Sequence, residues 1–250
     1  MGIDIKTNRE IALMRQAGRI VAEVLEILVR SVKPGLKTKE LDIIAEREIK
    51  KLGGTPSFKG YHGYPASLCV SVNDEIVHGI PGDRILKDGD IVSLDLGAIY
   101  QGYQGDAART VGVGAISIQA EALMQATEGA LRAGIAMARQ PNRLGDISAA
   151  IQSYAESKGF AVVREYTGHG IGREMHEDPL IPNFGMPGTG PLLRKGMVLA
   201  IEPMLNAGSW RTKVDKNNQW TVSTIDGSIS AHFENTVVIT EGDPEVLTTL

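Results

Sequence analysis

Four acidic residues and one histidine occupy positions where a polar side chain is costly unless it binds something. Asp95 and Glu202 each end a strongly apolar run, DIVSLD and MVLAIE, and Glu234 lies in the apolar segment AHFENTVVI. Asp106 lies 11 residues beyond Asp95, and His169 lies among glycines in TGHGIG. An ionised carboxylate is costly to bury unless it is paired or bound to a cation. These five side chains are therefore candidate metal ligands.

The two aspartates are expected to lie close together on a hairpin. If Tyr100 and Gln101 form a two-residue loop, the strand register places Asp95 directly opposite Asp106. Two carboxylates at that range repel each other, so that either one takes up a proton or a cation lies between them.

Each of these residues alone also has an ordinary structural explanation. A carboxylate at a strand end is commonly a cap or a salt-bridge partner, and a histidine among glycines is commonly not a ligand. As a set, four carboxylates and one imidazole form an oxygen-rich site suited to Mn, Fe, Co or Zn. Two ions in such a site can share a water molecule or hydroxide, lower its pKa and hold a substrate carbonyl.

The surrounding pattern predicts helices and strands that position these residues. A capping box from Thr7 to Glu10 begins the first helix, which Pro34-Gly35 ends. A second helix is predicted from Thr38 to Leu52. Further helices are predicted over 119–138 and 144–158, and strands over 66–72, 90–97, 103–113, 161–166, 197–203, 220–225 and 229–239.

The order of these elements nearly repeats along the chain. A shift of 107 residues places KDGDIVSLDL (87–96) on LRKGMVLAIEP (193–203), and with it Asp95 on Glu202 and His62 on His169. Several such matches in register predict two halves of similar α/β build, roughly 33–113 and 140–239. Chance similarity of apolar strands is the alternative. Because no Pro- or Ser-rich linker separates the halves, we expect one catalytic domain over residues 1–250.

Composition narrows the class of protein. The net charge of −4 and the pI near 5.8 argue against a general nucleic-acid binder, which normally has a basic face. Cys69 is the only cysteine, which excludes an intrachain disulfide and a thiolate-rich zinc site. Asp4 and Lys6 lie where a signal peptide needs an apolar run, and no stretch has the length of a membrane span. We therefore expect a cytoplasmic enzyme.

The five candidate ligands follow the order Asp, Asp, His, Glu, Glu, and the chain around them resembles the type I methionine aminopeptidases. These belong to the pita-bread family, peptidase M24, together with creatinase and the Xaa-Pro peptidases. The resemblance extends from about Lys6 to Ile239. Its most specific blocks are GYHGYPASLCVSVNDEIVHGIPGD, GDIVSLDLG with GYQGD, TGHGIGREMHEDP, GMVLAIEPM and WTVSTIDGSISAHFENT.

The resemblance implies an α+β pita-bread fold. This fold is a pseudo-twofold pair of α/β halves with a curved, mainly antiparallel sheet and helices on its outer face. The implied function is removal of the initiator methionine from nascent proteins whose second residue is small, with two divalent ions (Co, Mn, Fe or Zn) as cofactors. The implied partners are nascent chains beginning with Met, with the ribosome as a plausible site of action. We expect a monomer that binds neither membranes nor a specific nucleic acid.

The resemblance also assigns roles to the ligands. Asp106 and Glu234 would bridge the two ions, Asp95 would complete the shell of one ion, and His169 and Glu202 that of the other. A metal-bound hydroxide would attack the scissile carbonyl, with Glu202 as general base and acid.

Two further histidines and an apolar pocket match the family. His78 in VHGIP would place the scissile amide, and His176 in MHEDP would donate a hydrogen bond to the carbonyl oxygen as charge develops. Either imidazole is expected to be partly protonated, because the ordinary pKa of histidine lies near neutrality. The methionine pocket would be formed by Tyr61, Tyr64, Cys69 and Trp220, for which ordinary packing is the alternative, since a thioether favours contact with aromatic rings and sulfur.

The chain departs from the family pattern at four positions. Met175 stands where Phe is usual before the second histidine, and Glu174 where a small residue is common. His232 and Asn235 flank Glu234 where Gln and His are usual. The first pair bears on the shape of the pocket, and the second on the surroundings of the metal ligands.

Other members of the family are alternatives. Xaa-Pro peptidases usually carry an extra N-terminal domain, which 250 residues cannot include. Type II methionine enzymes carry an insertion between the histidine and glutamate ligands, but only 33 residues separate His169 from Glu202. Creatinase-like enzymes lack the metal ligands. A catalytically silent binding module is the remaining alternative, and such relatives typically lose ligands that this chain retains.

Overall fold

The computed structural model describes residues 2–250. Four α-helices are present in this range: α1 Asn8–Ser31, α2 Thr38–Lys51, α3 Ile118–Met137 and α4 Leu144–Ser157. Each of the four predicted helices is confirmed. No helix within residues 2–250 combines the length and the apolar composition that a membrane span requires.

The strands of the described chain are mostly short. They are β1 Thr55–Pro56, β2 Cys69–Val72, β3 Glu75–Val77, β4 Ile91–Tyr100, β5 Tyr103–Gly112, β6 Ala161–Val162, β7 Thr167–Gly170, β8 Glu177–Pro182, β9 Val198–Ile201, β10 Met204–Asn206, β11 Thr212–Val214, β12 Val222–Thr224, β13 Ser230–His232, β14 Asn235–Val238 and β15 Glu245–Val246.

The prediction was weakest for these short strands. The predicted strand 229–239 is two strands separated by Phe233-Glu234, and the predicted strand 161–166 contains only two paired residues. Strands β1, β3, β7, β8, β10, β11 and β15 were not predicted. Segments this short show too few alternations of apolar and polar residues to be recognised from periodicity.

Helix α1 begins at the capping box that the sequence predicts. The Thr7 side chain accepts a hydrogen bond from the backbone amide of Glu10, and the Glu10 carboxylate accepts one from the Thr7 amide. This exchange satisfies two amides that have no partner inside the helix. The helix ends at Ser31, before the predicted stop at Pro34. Its buried face packs on β4 and β5, which carry the two candidate aspartate ligands.

All paired strands are antiparallel. One sheet has the order β1-β4-β2 with β5 also paired to β4, and a second has the order β15-β14-β9-β7-β8. Two three-stranded sheets have the orders β13-β10-β6 and β11-β12-β3. One apolar core lies between α1, α2 and the sheet of β4, and another lies between α3, α4 and strands that include β9 and β10.

The predicted register of the β4–β5 hairpin was wrong. The turn is Gln101-Gly102, with Tyr100 paired to Tyr103, so that Asp106 lies opposite Gly97 and Asp95 lies opposite Ala108. Gln101 and Gly102 both adopt positive φ, of 48° and 81°, which a tight two-residue hairpin turn requires. Asp95 and Asp106 are therefore diagonal neighbours on one face of the hairpin rather than directly opposed.

The two halves share local details. Helices α2 and α4 are each 14 residues long, and their N-caps Lys37 and Arg143 each form an isolated bridge, to Ile85 and Leu192. The backbone amide of each cap donates to an acidic side chain three residues later. The division into one domain with an internal repeat stays a prediction, with which these details agree.

Candidate active site

The candidate site residues, which are far apart in the sequence, line one cavity of about 250 Å³. Its lining includes the five candidate ligands, both additional histidines and the four expected pocket residues. These are Asp95, Asp106, His169, Glu202, Glu234, His78, His176, Tyr61, Tyr64, Cys69 and Trp220. Phe58 and His62 also line it and were not predicted.

Two sheets supply the acidic residues and the central histidine. Asp95 and Asp106 project from β4 and β5, and His169 projects from β7. Glu202 directly follows β9, and Glu234 lies in the break between β13 and β14. The site therefore forms where the first half of the chain meets the second.

Hydrogen bonds join the halves at the site itself. The backbone amide of Asp106 donates to Oγ1 of Thr236, which donates in turn to the Asp106 carbonyl. The amide of Glu234 donates to the carbonyl of Ala108 at 2.9 Å. Because these bonds fix the backbone on both sides, the carboxylates of Asp106 and Glu234 are held facing the cavity.

Glycines allow the strand of His169 to pack closely. A Cβ on Gly168 would lie 2.4 Å from the Ala200 carbonyl oxygen, and one on Gly170 would lie 2.2 Å from the Asp178 carbonyl oxygen. The Nδ1 atom of His169 lies 2.9 Å from the carbonyl oxygen of Gly170. Since a carbonyl only accepts, Nδ1 carries the proton and Nε2 presents a lone pair to the cavity.

The donor set fits a divalent cation. One ligating atom from each of Asp106, His169 and Glu234 lies within 4.8 Å of the other two. Oδ1 of Asp95, Oδ1 of Asp106 and Oε1 of Glu234 are buried and have no hydrogen-bond partner among the described residues. Buried carboxylate oxygens without donors are costly, and coordination of a cation would satisfy them.

The electrostatics of the site agree with this fit. Burial raises the pKa of Asp95 to about 7 and raises the pKa values of Asp106, Glu202 and Glu234 well above the ordinary range. The negative charges of neighbouring carboxylates add to this effect at Asp106 and Glu234. Burial lowers the pKa of His169 to about 3, so that this imidazole is neutral, as a metal ligand must be.

The surroundings of the two additional histidines favour the neutral imidazole over the protonated form. Burial lowers the pKa of His78 to about 4, and burial together with the nearby His62 lowers the pKa of His176. His176 lies beside His169 with ring centroids 4.3 Å apart and the ring planes at 54°, and its Nδ1 lies 2.8 Å from the Tyr61 hydroxyl. His78 adopts a φ of 60°, a conformation uncommon outside glycine and typical of functional positions.

An apolar recess adjoins the acidic cluster. Tyr64 and Cys69 are buried in it, and Phe58 and Trp220 pack against them. The Tyr64 and Trp220 rings meet edge-on at 5.1 Å between centroids. The Tyr64 hydroxyl donates to the carbonyl of Gly79, which leaves the ring as the surface that contacts the recess.

Comparisons with known proteins agree with the site described above. Residues 12–241 match metallopeptidase family M24. The chain belongs to this family. Over 246 residues it is 57% identical to the methionine aminopeptidase of Clostridium perfringens, with 98% of each chain covered. It superposes on the crystal structure of methionine aminopeptidase from Thermotoga maritima with a TM-score of 0.98 and 49% identity, covering all of both chains.

A more distant M24 structure shows the fold alone. The prolidase from Pyrococcus furiosus is 24% identical, with a TM-score of 0.81, and the match covers 98% of this chain but 65% of that one. The resemblance to the M24 family and the predicted α+β pita-bread fold class are thus confirmed.

The four departures from the M24 pattern lie in different surroundings. Met175 is buried in the core that includes Met14 and Tyr103, and its Cε lies near Phe58. Glu174 is exposed. The Asn235 side chain donates to Oγ1 of Thr248, which lies outside the cavity lining.

His232 is the departure that reaches the acidic cluster. Its Nε2 lies 3.6 Å from Oε2 of Glu202 and 4.0 Å from Oε2 of Glu234. The sequence indicated His232 only as a departure from the family pattern beside the candidate ligand Glu234. Phe58 and His62 gave a weaker signal, as an aromatic and an imidazole in the segment SFKGYHGY that leads into the pocket block.

Proposed function

We propose that this chain is a metal-dependent aminopeptidase that hydrolyses the N-terminal initiator methionine from nascent proteins whose second residue is small. The observation that carries the proposal is the shared cavity. A cluster of buried carboxylates and a neutral imidazole lies beside an apolar, aromatic recess within about 250 Å³. This places cation-dependent hydrolysis next to a site for one apolar side chain.

Five side chains would hold the ions. Asp106 and Glu234 would be shared by two ions, Asp95 would complete the shell of one ion, and His169 and Glu202 would complete that of the other. The closeness of Asp106, His169 and Glu234 and their unsatisfied oxygens support a shared position. Oxygen-rich sites accept Co, Mn, Fe or Zn, and availability decides among them. When bound, such ions supply a water molecule of lowered pKa and polarise the substrate carbonyl.

Glu202 would move the proton. Burial raises the pKa of its carboxyl well above the ordinary range, which strengthens this group as a base. The same carboxyl can then deliver the proton to the departing amine.

The two neutral histidines would hold the scissile amide. If the Tyr61 hydroxyl donates to Nδ1 of His176, the proton of this imidazole lies on Nε2, which can donate to the carbonyl oxygen as charge develops. His78 also lines the cavity, edge-on to Trp220 with 6.3 Å between ring centroids, and would contact the amide nitrogen.

The recess would bind the methionine side chain. Tyr61, Tyr64, Cys69 and Trp220 offer aromatic faces and a sulfur atom, and burial raises the pKa of the Cys69 thiol so that it stays uncharged. Phe58 joins these residues in our assignment. A thioether makes favourable contacts with such groups.

The setting that fits this reaction is the cytoplasm, where nascent chains beginning with Met emerge from the ribosome. We propose that the protein acts there as a monomer, with one catalytic domain whose two halves both supply site residues.

A peptide assay tests the function. Purified protein with added Co²⁺ or Mn²⁺ should release methionine from Met-Gly and Met-Ala peptides but not from Met-Leu or Met-Lys peptides. Release of the first residue from Xaa-Pro peptides instead would move the assignment to the prolidase branch of the family. No hydrolysis with any divalent ion would favour a binding module.

His78→Ala should lower kcat by about 10²-fold, because a side chain that positions the scissile amide is lost. The metal content should stay that of the unaltered protein, because we assign His78 no role as a ligand. Steady-state kinetics and elemental analysis of the purified variant check both points. Loss of bound metal would show that its role is misassigned.

A further inference from the structure

His232 is buried and faces the cavity ligands without a hydrogen-bond partner of its own. Its exposed fraction is 1%, and neither ring nitrogen has a hydrogen-bond partner among the described residues. An imidazole that only filled space would leave two polar atoms unsatisfied, at a cost that an apolar residue would avoid. We therefore expect the His232 side chain to have a polar role.

The backbone at this position is rigidly held. The amide of His232 donates to Oγ1 of Thr110 at 2.9 Å, and the same hydroxyl donates to the His232 carbonyl at 2.8 Å. His232 also pairs with Met204 in the β10–β13 ladder. Because the backbone is fixed from two sides, the ring stays beside the carboxyls of Glu202, at 3.6 Å, and Glu234, at 4.0 Å.

Glu202 lies between two imidazoles. Nε2 of His169 lies 3.5 Å from Oε1, and Nε2 of His232 lies 3.6 Å from Oε2. The carbonyl of Gly170 fixes the proton of His169 on Nδ1. No such acceptor holds Nδ1 of His232, while its Nε2 faces one oxygen of Glu202 and one of Glu234. When a bound cation keeps these two carboxyls ionised, their oxygens can only accept, so that Nε2 of His232 would carry the proton. The two rings would then hold opposite tautomers.

We propose that His232 is a positioning residue that donates its Nε2–H to Oε2 of Glu202 and orients this carboxylate as the general base. The inference rests on the proposed function. The separation of 3.6 Å is slightly longer than a hydrogen bond, and bonds of this kind commonly shorten when substrate binds. His169 presents a lone pair for a cation, whereas His232 presents a proton to the base.

Two variants separate this role from simple packing. His232→Leu fills a similar volume without a donor, and His232→Gln restores a donor on a flexible amide. With Mn²⁺ at saturation and a Met-Ala-Ser peptide, His232→Leu should lower kcat by about 10- to 100-fold, as expected for a group that orients another. Its KM should stay within about twofold, and His232→Gln should recover most of kcat. Bound manganese, measured by titration calorimetry, should keep the same stoichiometry in both variants.

A second measurement needs no turnover. The chain has five histidines, so that ¹⁵N spectra of the zinc-loaded, histidine-labelled protein are simple, and the His232 signals are those absent from His232→Gln. We expect the Nε2–H tautomer at His232 and the Nδ1–H tautomer at His169. An Nδ1–H tautomer at His232, an unchanged kcat in His232→Leu or the loss of one manganese equivalent would each overturn the proposal. Failure of the unaltered protein to release methionine would instead refute the proposed function, and the tautomer would still be measurable.

Discussion

Glu202→Gln should lower kcat by about 10³-fold, within the range that positioned acid–base groups contribute. Glutamine keeps the shape of the side chain and an oxygen that can face a cation, but its amide cannot take up a proton. The carboxyl lies where burial raises its pKa and where imidazoles face both of its oxygens. The loss should therefore fall on proton transfer more than on folding or on peptide binding.

The experiment must separate the lost base from a weakened ligand. Activity of Glu202→Gln is measured over a range of Mn²⁺ concentrations until kcat no longer rises, with bound metal determined on the same samples. Glu23→Gln, on the solvent-facing side of α1, is a matched control that should leave kcat unchanged. A kcat within tenfold of the unaltered protein at metal saturation would assign the proton transfer to another group.

Much of this site could be predicted from the sequence because the ligands carry strong local signals. Acidic residues at the ends of apolar runs, as at Asp95 and Glu202, are rare without a partner, and the glycines around His169 marked a close approach. The helices were predictable for a similar reason, since α1 shows both a capping box and a long apolar face.

What could not be predicted depends on tertiary pairing. The β4–β5 turn lies one residue further along the chain than predicted, a difference that the periodicity of the sequence does not reveal. Asp95 and Asp106 still share a face of the hairpin, because this change shifts the pairing by two residues and side chains alternate between the two faces. The break at Phe233-Glu234 exists because Glu234 pairs with Ala108 of the other half, a contact between distant segments. The orientation of His232 toward Glu202 likewise depends on contacts between distant segments.

The carboxyl of Asp95 should make the metal-free protein lose stability as pH rises from 6.5 to 8, relative to Asp95→Asn. The buried histidines act with the opposite sign, because folding lowers their pKa values and the unfolded imidazoles are still partly protonated at pH 6.5. Their contribution is the same in both proteins and cancels in the comparison. Asp95, whose pKa is about 7 in the folded protein and 3.8 in an unfolded chain, is ionised in the unfolded state throughout this range. At this carboxyl the folded state therefore binds more protons, and its contribution to the free energy of unfolding falls as pH rises. Asp106, Glu202 and Glu234 act with the same sign.

Asp95→Asn should remove part of the free-energy cost of burying an ionised carboxylate in the metal-free protein. The shift of the Asp95 pKa to about 7 corresponds to about 4 kcal/mol of unfolding free energy at most. Without metal, Asp95→Asn should therefore melt roughly 8 °C above the unaltered protein at pH 8. Added Mn²⁺ should reverse the order, because the unaltered protein then pairs its carboxylate with a cation and gains binding free energy. Calorimetric melts at pH 6.5, 7.25 and 8, with and without Mn²⁺, measure this, and Asp243→Asn on the exposed surface controls for net charge. Equal melting temperatures for Asp95→Asn and the unaltered protein in both conditions would contradict a buried carboxylate whose charge awaits a cation.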